Sequence, residues 1–523
     1  MNWPEKEPFV DRAGGASASQ EPLFIILSAN YTTNRLASVY GNLPPCMLPH
    51  GGQRLYEAQC DLASKLNART ILILPNCYEL LPFDVMRLAA RGTITVSVER
   101  DSEPCKQLEA AIRSVNRPHA PLYLLFGNTV VDCSEGHPVN GFARIPSTDR
   151  AGFFYFSDPH GFEDSFIKAS NFGDLISRYV ESHNIEYLPI KCIRYFDDAM
   201  LHPQDSVRPF VTRSGNKIAS NGVTVIKSGD NIAKISGEAE WFRVAPSNLH
   251  RHFPRLSWVN SDIGSYELEL LDLPLLSDLY SLSELSFPTW LCILRRCLDF
   301  IESMHWVSKP TSSDRQFANF FDAMVVNKTF TRLRQLSHRT GIDLTRNWNI
   351  DGRERGSLYD LAHDMISRIE RTKEHDVTFC HGDLHFGNIF YDDINCIVRV
   401  IDPRGIMPDE SPLHFGDARY DLAKICHSVI GLYDNILSGR FELDWNGSYD
   451  ATLRLWPTPL QSQTIAWYQT EYVAGRKCVD HQILAMTSLL FLSMADIHED
   501  NLRKQVAILV NAFRIANLAE TFQ

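Results

Sequence analysis

Between residues 22 and about 200, short runs of apolar residues alternate with amphipathic stretches. Leu23–Leu27, Thr70–Leu74, Thr93–Ser97 and Leu122–Phe126 each read as buried parallel strands. Gln53 to Leu66, between the first two, has a helical apolar rhythm. Strand, helix, strand at this spacing implies right-handed βαβ units and a Rossmann-like sheet, an α/β domain over 22–204. From 205 to 275 the pattern changes to short strands with hairpin signals at Ser214-Gly-Asn, Asn221-Gly and Ser228-Gly-Asp-Asn. From 276 to 523 it is mostly helical, with one strand-rich interruption at 376–402. The 205–275 and 276–523 stretches together read as a two-lobed α+β unit.

The richest apolar run, Ile483–Ala495, is broken by Thr487, Ser488 and Ser493 and reads as a buried helix. No segment reaches the ~18 apolar residues that span a bilayer. Residues 1–21 lack a basic start followed by an apolar stretch; they read as a disordered leader, not a secretory signal. A cytoplasmic location is the expectation. The 12 cysteines are scattered and form no CxxC pair, so reduced thiols are expected rather than disulfides or zinc. Hydrophobic residues are 44% and charged residues 22% of the chain, which excludes extended disorder, and the net charge of −12 argues against a broad nucleic-acid surface.

The strongest chemical signal is in the interruption. It reads Val377-Thr-Phe-Cys-His381-Gly-Asp383-Leu-His-Phe-Gly-Asn388, then the apolar strand Ile397–Ile401, then Asp402-Pro-Arg404-Gly405. Phosphoryl transfer to a hydroxyl needs a carboxylate near the acceptor oxygen. It also needs an amide and a second carboxylate to hold magnesium against the phosphates. Asp383 and Asn388, five apart on one tight loop, can face one cavity, and the strand delivers Asp402 beside them.

This segment resembles the kinase-like superfamily, in its aminoglycoside phosphotransferase and choline kinase branch. The resemblance implies ATP and Mg2+ as cofactors, Asp383 as catalytic base, Asn388 and Asp402 as magnesium ligands, and His381 as a loop-supporting residue. Asp402-Pro-Arg-Gly departs from the branch's usual ending. Downstream, Gly416-Asp-Ala-Arg-Tyr-Asp421-Leu-Ala-Lys424 resembles the helix start that buttresses this loop, with Asp421 capping the helix or anchoring the loop. Arg404 and Lys424 are cations on the acceptor side, read either as ligands of an anionic acceptor or as surface salt-bridge partners.

A kinase C-lobe needs an N-lobe before it. Val223–Lys227 reads as a strand ending in a lysine, and Glu238 and Glu240 open a helical stretch. A strand lysine paired with a helix glutamate positions the α/β-phosphates in this fold, so Lys227 with Glu238 is the first choice. Lys234 is the alternative, but it lies too close to Glu238 to sit on a preceding strand. No GxGxxG precedes the strand. Tyr266–Leu273 reads as the last N-lobe strand and the hinge, where backbone groups would bind adenine.

The first domain is similar to sugar-phosphate nucleotidyltransferases over Leu23–Leu36, Leu43–Gly51 and Glu57–Gln59. The chemistry of that site is largely replaced. Asn30, Tyr31 and Thr33 stand for loop glycines, Pro45 for a lysine and Asn128 for a metal carboxylate, while Arg35 survives. The domain is therefore read as nucleotidyltransferase-shaped and inactive. Nucleotide or sugar binding, or service as a dimer or positioning surface, stays open, and with it a homo-oligomer.

The join, Tyr195-Phe-Asp197-Asp198 and Arg208-Pro-Phe210 followed by the N-lobe motifs and Phe253-Pro-Arg-Leu256, looks like bacterial fusions of such a domain to a small-molecule phosphotransferase. Those proteins are associated with capsule or surface-polysaccharide decoration. The implied activity is phosphorylation of a small hydroxylated acceptor, a sugar or a surface-glycan precursor. Two alternatives are a bifunctional enzyme with an active nucleotidyltransferase and a non-catalytic nucleotide-binding scaffold.

Overall fold

The computed structural model describes residues 21–115, 120–133, 141–144, 151–183, 186–188, 190–196, 216–307 and 319–522. Most of the leader, Asp197 and Asp198, Arg208–Phe210, and Ser214 with Gly215 lie outside them. The chain divides into two compact units near residue 203, with residues 282–284 grouping with the first.

In the first unit Leu23–Leu27 is central. It pairs in parallel with Arg69–Pro75 and with Leu122–Phe126, and Arg69–Pro75 pairs in parallel with Ile94–Val98. The crossover helix is Leu55–Lys65. These are the four expected strands, but two features differ. Ile94–Val98 is a sheet edge, half-buried on alternate residues, because among the described residues no strand pairs beyond it. On the other side Ala151–Phe156 runs antiparallel to Leu122–Phe126 and to Gly141–Arg144, and the edge strand Glu186–Tyr187 is parallel to Gly141–Arg144, so the seven-stranded sheet is mixed. Leu23, Ile25 and Leu27 bury one sheet face against Leu108, Ala111, Phe162, Leu175 and Tyr179. Period-two alternation on a central strand sends Phe24 and Ile26 to the opposite face, and both are also fully buried.

The second unit opens with a four-stranded antiparallel sheet in the order Asn216–Ser220, Thr224–Gly229, Ser265–Glu269, Leu256–Asn260. The Asn221-Gly222 turn forms as expected, with the Asn221 side chain accepting the amides of Val223 and Thr224. Ser228-Gly-Asp-Asn is not a hairpin. Asn231 caps the helix Ile232–Val244 by accepting the Lys234 amide at 2.9 Å. That helix therefore starts six residues before Glu238, which lies in its second turn and does not open it. Lys234 is on the same helix.

The rest is mostly helical. His481–Ala495 is a helix buried from Ile483 to Ala495, as its apolar run implies. It packs between Ala418–Val429 and Leu502–Thr521. The helical reading missed further hairpins, among them Asn349–Ile350 with Arg353–Glu354, Phe441–Trp445 with Asp450–Leu455, and Tyr472–Val473 with Arg476–Lys477. Among the described residues no helix is long and apolar enough to cross a membrane.

Candidate active site

Four separate segments of the second unit meet around Lys227. Its ammonium donates to Glu238 Oε2 at 2.7 Å and to Asp402 Oδ1 at 3.0 Å. Tyr266 donates its hydroxyl to the same Glu238 oxygen at 2.9 Å, and Lys234 approaches the other at 3.5 Å. Lys227 and Glu238 are buried, whereas the Asp402 side chain keeps 41% of its surface exposed. Burial drives the Lys227 ammonium toward losing its proton. The Asp402 and Glu238 carboxylates outweigh that and hold its pKa above the ordinary lysine value.

Two glycines make this meeting sterically possible. A Cβ on Gly405 would lie 2.3 Å from the Gly237 carbonyl carbon and 2.4 Å from the Glu238 nitrogen, and Gly405 has φ +70°. Backbone therefore crosses backbone where the helix Ile232–Val244 meets the segment after Asp402. Trp241, one turn past Glu238, donates its indole N–H to the Cys380 carbonyl at 2.8 Å and fixes the same helix to the loop strand Val377–Phe379.

The loop is held from below. The Asp421 carboxylate accepts the amides of His381 and Gly382, each at 2.8 Å. Burial raises its pKa to about 6, although both amides favour the anion. The helix Ala418–Val429 is capped by Asp417, so Asp421 anchors the loop and is not the cap. His381 is fully buried. Its Nε2 faces the Ile401 carbonyl at 3.0 Å and its Nδ1 accepts the Asp383 amide at 3.3 Å, which assigns the neutral Nε2–H tautomer. Burial lowers its pKa to about 4, so it stays neutral as a strut.

Asn388 donates Nδ2–H to the Asp383 carbonyl at 2.9 Å, and the Ile401 amide donates to the Asn388 carbonyl at 3.0 Å. The hairpin Ile389–Asp392 with Ile397–Val400 makes this register and places Asp402 one residue beyond that contact. Asp402 has φ +56°, a left-handed conformation that the following Pro403 makes costlier. Strain of this kind persists only where the surroundings enforce it. Among the described residues no three His, Cys, Asp or Glu side chains gather as a metal cage. One carboxylate and one amide is the sparse oxygen set that magnesium accepts when phosphates complete its shell, so Asp402 and Asn388 fit that ion.

Lys424 corrects one of the sequence readings. It is buried at 1% exposure and its ammonium lies 2.7 Å from Asp383 Oδ1, so it is no surface salt-bridge partner. Its spacing held the signal: three residues after Asp421, it shares that helix face. Arg404 is half-buried. It donates its backbone amide to the His381 carbonyl at 2.9 Å and lines a cavity of about 950 Å3. No motif pointed to Lys328, another lining residue, whose Nζ donates to the Tyr420 hydroxyl at 2.8 Å.

In the first unit Asn128 is bonded in both directions to the backbone of Phe196, donating Nδ2–H to its carbonyl at 3.1 Å and accepting its amide at 2.9 Å. Tyr31 lies under the Arg100 guanidinium and hydrogen-bonds Cys77. Pro45 begins a short 3-10 turn, Pro45–Met47.

No family model matches the chain, and no curated protein matches it. Several solved structures align with part of its length. Against an aminoglycoside-3'-phosphotransferase of type VIII the identity is 16%, covering 55% of this chain and 98% of that one, with a TM-score of 0.30. Against choline kinase LicA from Streptococcus pneumoniae the values are 10%, 58%, 90% and 0.35. Against the inositol-1-phosphate CTP transferase from T. maritima they are 12%, 34%, 90% and 0.26. Identities and TM-scores this low leave the reading of the site to its own geometry.

Proposed function

We propose that this chain is an ATP- and magnesium-dependent phosphotransferase that phosphorylates a hydroxyl of a small molecule. The observation that carries this is the convergence of Lys227, Glu238 and Asp402 beside the Asp383–Asn388 loop, from segments up to 175 residues apart. A lysine kept charged by two carboxylates in a buried setting is suited to the α/β-phosphates. Glu238 holds it in place, with Tyr266 fixing Glu238 in turn. Asn388 and Asp402 would hold magnesium, which when bound neutralises charge on the β/γ-phosphates. Asp383 accepts the proton of the acceptor hydroxyl, and Lys424 fixes that carboxylate through one of its oxygens. His381 and Asp421 hold the loop rigid. Adenine would bind backbone groups between Glu269 and Pro274. A sugar or surface-glycan precursor is the acceptor class this reading favours.

The first unit we read as a nucleotidyltransferase-shaped, inactive domain. Asn128 is committed to Phe196, and neither a lysine nor a carboxylate stands at the replaced positions.

The test is ADP release by the full chain with Mg-ATP against a panel of sugars, amino alcohols and polyols. Asp383→Ala and Asp402→Asn are expected to remove turnover without loss of fold, asparagine being chosen because it tolerates the left-handed backbone. A folded Asp402→Asn variant with near-normal phosphoryl transfer refutes the assignment. In the same preparation, pyrophosphate release from nucleoside triphosphate plus sugar phosphate that survives Asp383→Ala would show the first unit to be a working enzyme.

A further inference from the structure

The cavity beside Arg404 is unusually cationic for a chain of net charge −12. Lys328, Arg332, Arg334 and Arg339 line it from the helix Lys328–Thr340, and Arg404 lines it from the segment after Asp402. Two carboxylates, Asp496 and Glu499, also line it, and both are committed. Asp496 pairs with Arg332 at 3.3 Å and with Arg339, and Glu499 pairs with Arg339 at 2.7 Å. Among the described residues Lys328, Arg334 and Arg404 pair with no carboxylate, so the cavity's lysine and arginine side chains outnumber its carboxylates by three.

The cavity adjoins the proposed site of chemistry through two of its lining residues, Arg404 and Lys328. Arg404 packs on Gly382, next to Asp383, close enough that a Cβ on Gly382 would lie 2.9 Å from the Arg404 Cβ. Lys328 reaches the Tyr420 hydroxyl, four residues before the Lys424 that holds Asp383. Burial lowers the Lys328 pKa well below its ordinary value, and the charges of Arg404 and Lys424 lower it further. Cations crowded at this cost in an open cavity are stabilised by an oxyanion, and the guanidinium forks suit a tetrahedral one.

Resting on the phosphotransferase reading above, we infer that the acceptor is itself a phosphate ester, a small hydroxylated molecule whose phosphate sits among Lys328, Arg334 and Arg404 while a hydroxyl faces Asp383. In the transfer, the hydroxyl oxygen forms its bond to the γ-phosphorus as the bond from that phosphorus to the β–γ bridging oxygen breaks. ADP leaves with the electron pair, and the hydroxyl proton passes to the Asp383 carboxylate.

Inorganic phosphate is the probe, since it needs no knowledge of the sugar. Its binding to the full chain is measured by calorimetry with the nucleotide site saturated by magnesium and a non-hydrolysable ATP analogue. The expected result is a second, non-competing site. Arg334→Ala, an exposed helix position that leaves the fold intact, weakens phosphate about tenfold and leaves analogue affinity unchanged, as loss of one charge-assisted contact implies. Turnover is then compared for matched pairs, glycerol with glycerol 3-phosphate and glucose with glucose 6-phosphate. The phosphorylated member is favoured in wild type, and Arg334→Glu removes the preference.

Absence of phosphate binding, displacement of the analogue by phosphate, or equal binding in Arg334→Ala overturns the inference. So does a higher kcat/KM for the neutral member of a pair. Failure of the kinase reading looks different: the analogue does not bind with magnesium, or Lys227→Ala fails to weaken it, while phosphate binding still responds to Arg334.

Discussion

Replacing Gly405 with alanine tests whether the Lys227 site depends on the backbone crossing. Two costs arise. An alanine at φ +70° is left-handed, which costs about 1 kcal/mol. Its Cβ would also lie 2.3 Å from the Gly237 carbonyl carbon, and ordinary contact starts at 3.4 Å, so the helix or the segment must move by about 1.1 Å. Both obstacles are backbone, which cannot rotate away, and forced overpacking of this kind costs about 1–3 kcal/mol. A movement of that size applied to the Lys227–Glu238 contact, now 2.7 Å, breaks a charge-assisted hydrogen bond worth about 1.5–3 kcal/mol. The binding of Mg-ATP should therefore weaken about tenfold or more.

Gly475→Ala is the control. Gly475 has φ +79° with nothing within 4 Å of its added Cβ, so only the conformational cost applies. The assay is nucleotide affinity by calorimetry together with thermal unfolding of both variants. Gly405→Ala should melt lower than Gly475→Ala and alone lose affinity. Equal melting of the two, with wild-type affinity in Gly405→Ala, would refute the argument that the crossing assembles the site.

Lys424→Met should lower kcat about tenfold or more with little change in the KM for ATP, because it releases Asp383 without touching the phosphate-facing residues. Its melting temperature should stay near wild type, since methionine fills a similar buried volume and Asp383 is 22% exposed and can be hydrated; steady-state kinetics and calorimetry on one preparation check both. Asp434→Asn tests a buried carboxyl whose pKa burial raises from 3.8 to about 7, with the Asp278 charge adding to the effect. Between those values the folded state binds more protons than the unfolded one, so this group's contribution falls as pH rises from about 4 to 7. Asparagine cannot ionise, so the variant should gain a few kcal/mol relative to wild type at pH 8 and be near neutral at pH 4, as denaturant titrations at the two pH values would show.

Local chain geometry was legible in the sequence because it needs few residues. The His381–Asn388 loop closes on itself through the Asn388 side chain and the Asp383 carbonyl, and the hairpin to Asp402 follows within 14 residues. Parallel strands and the buried helix at Ile483–Ala495 followed from continuous apolar runs. Where turn chemistry has two outcomes, the sequence misled: Ser228-Gly-Asp-Asn suits a hairpin and a helix cap equally, and the start of the helix Ile232–Val244 moved with that choice.

What the tertiary structure decided is of a different kind. The pairing of Lys424 with Asp383 joins a helix to a loop 41 residues away, and only packing shows that the lysine is buried and not a surface cation. The need for glycine at both Gly237 and Gly405 arises where two backbones cross, and neither segment's own pattern records the other. The cationic cavity draws its side chains from a helix at 328–340, a loop at 404–408 and a turn at 496–499. Which of its basic side chains lack a carboxylate shows only once Asp496 and Glu499 are seen paired with Arg332 and Arg339. Charge is additive along a sequence, but its meaning depends on distance, and distance is set by the fold.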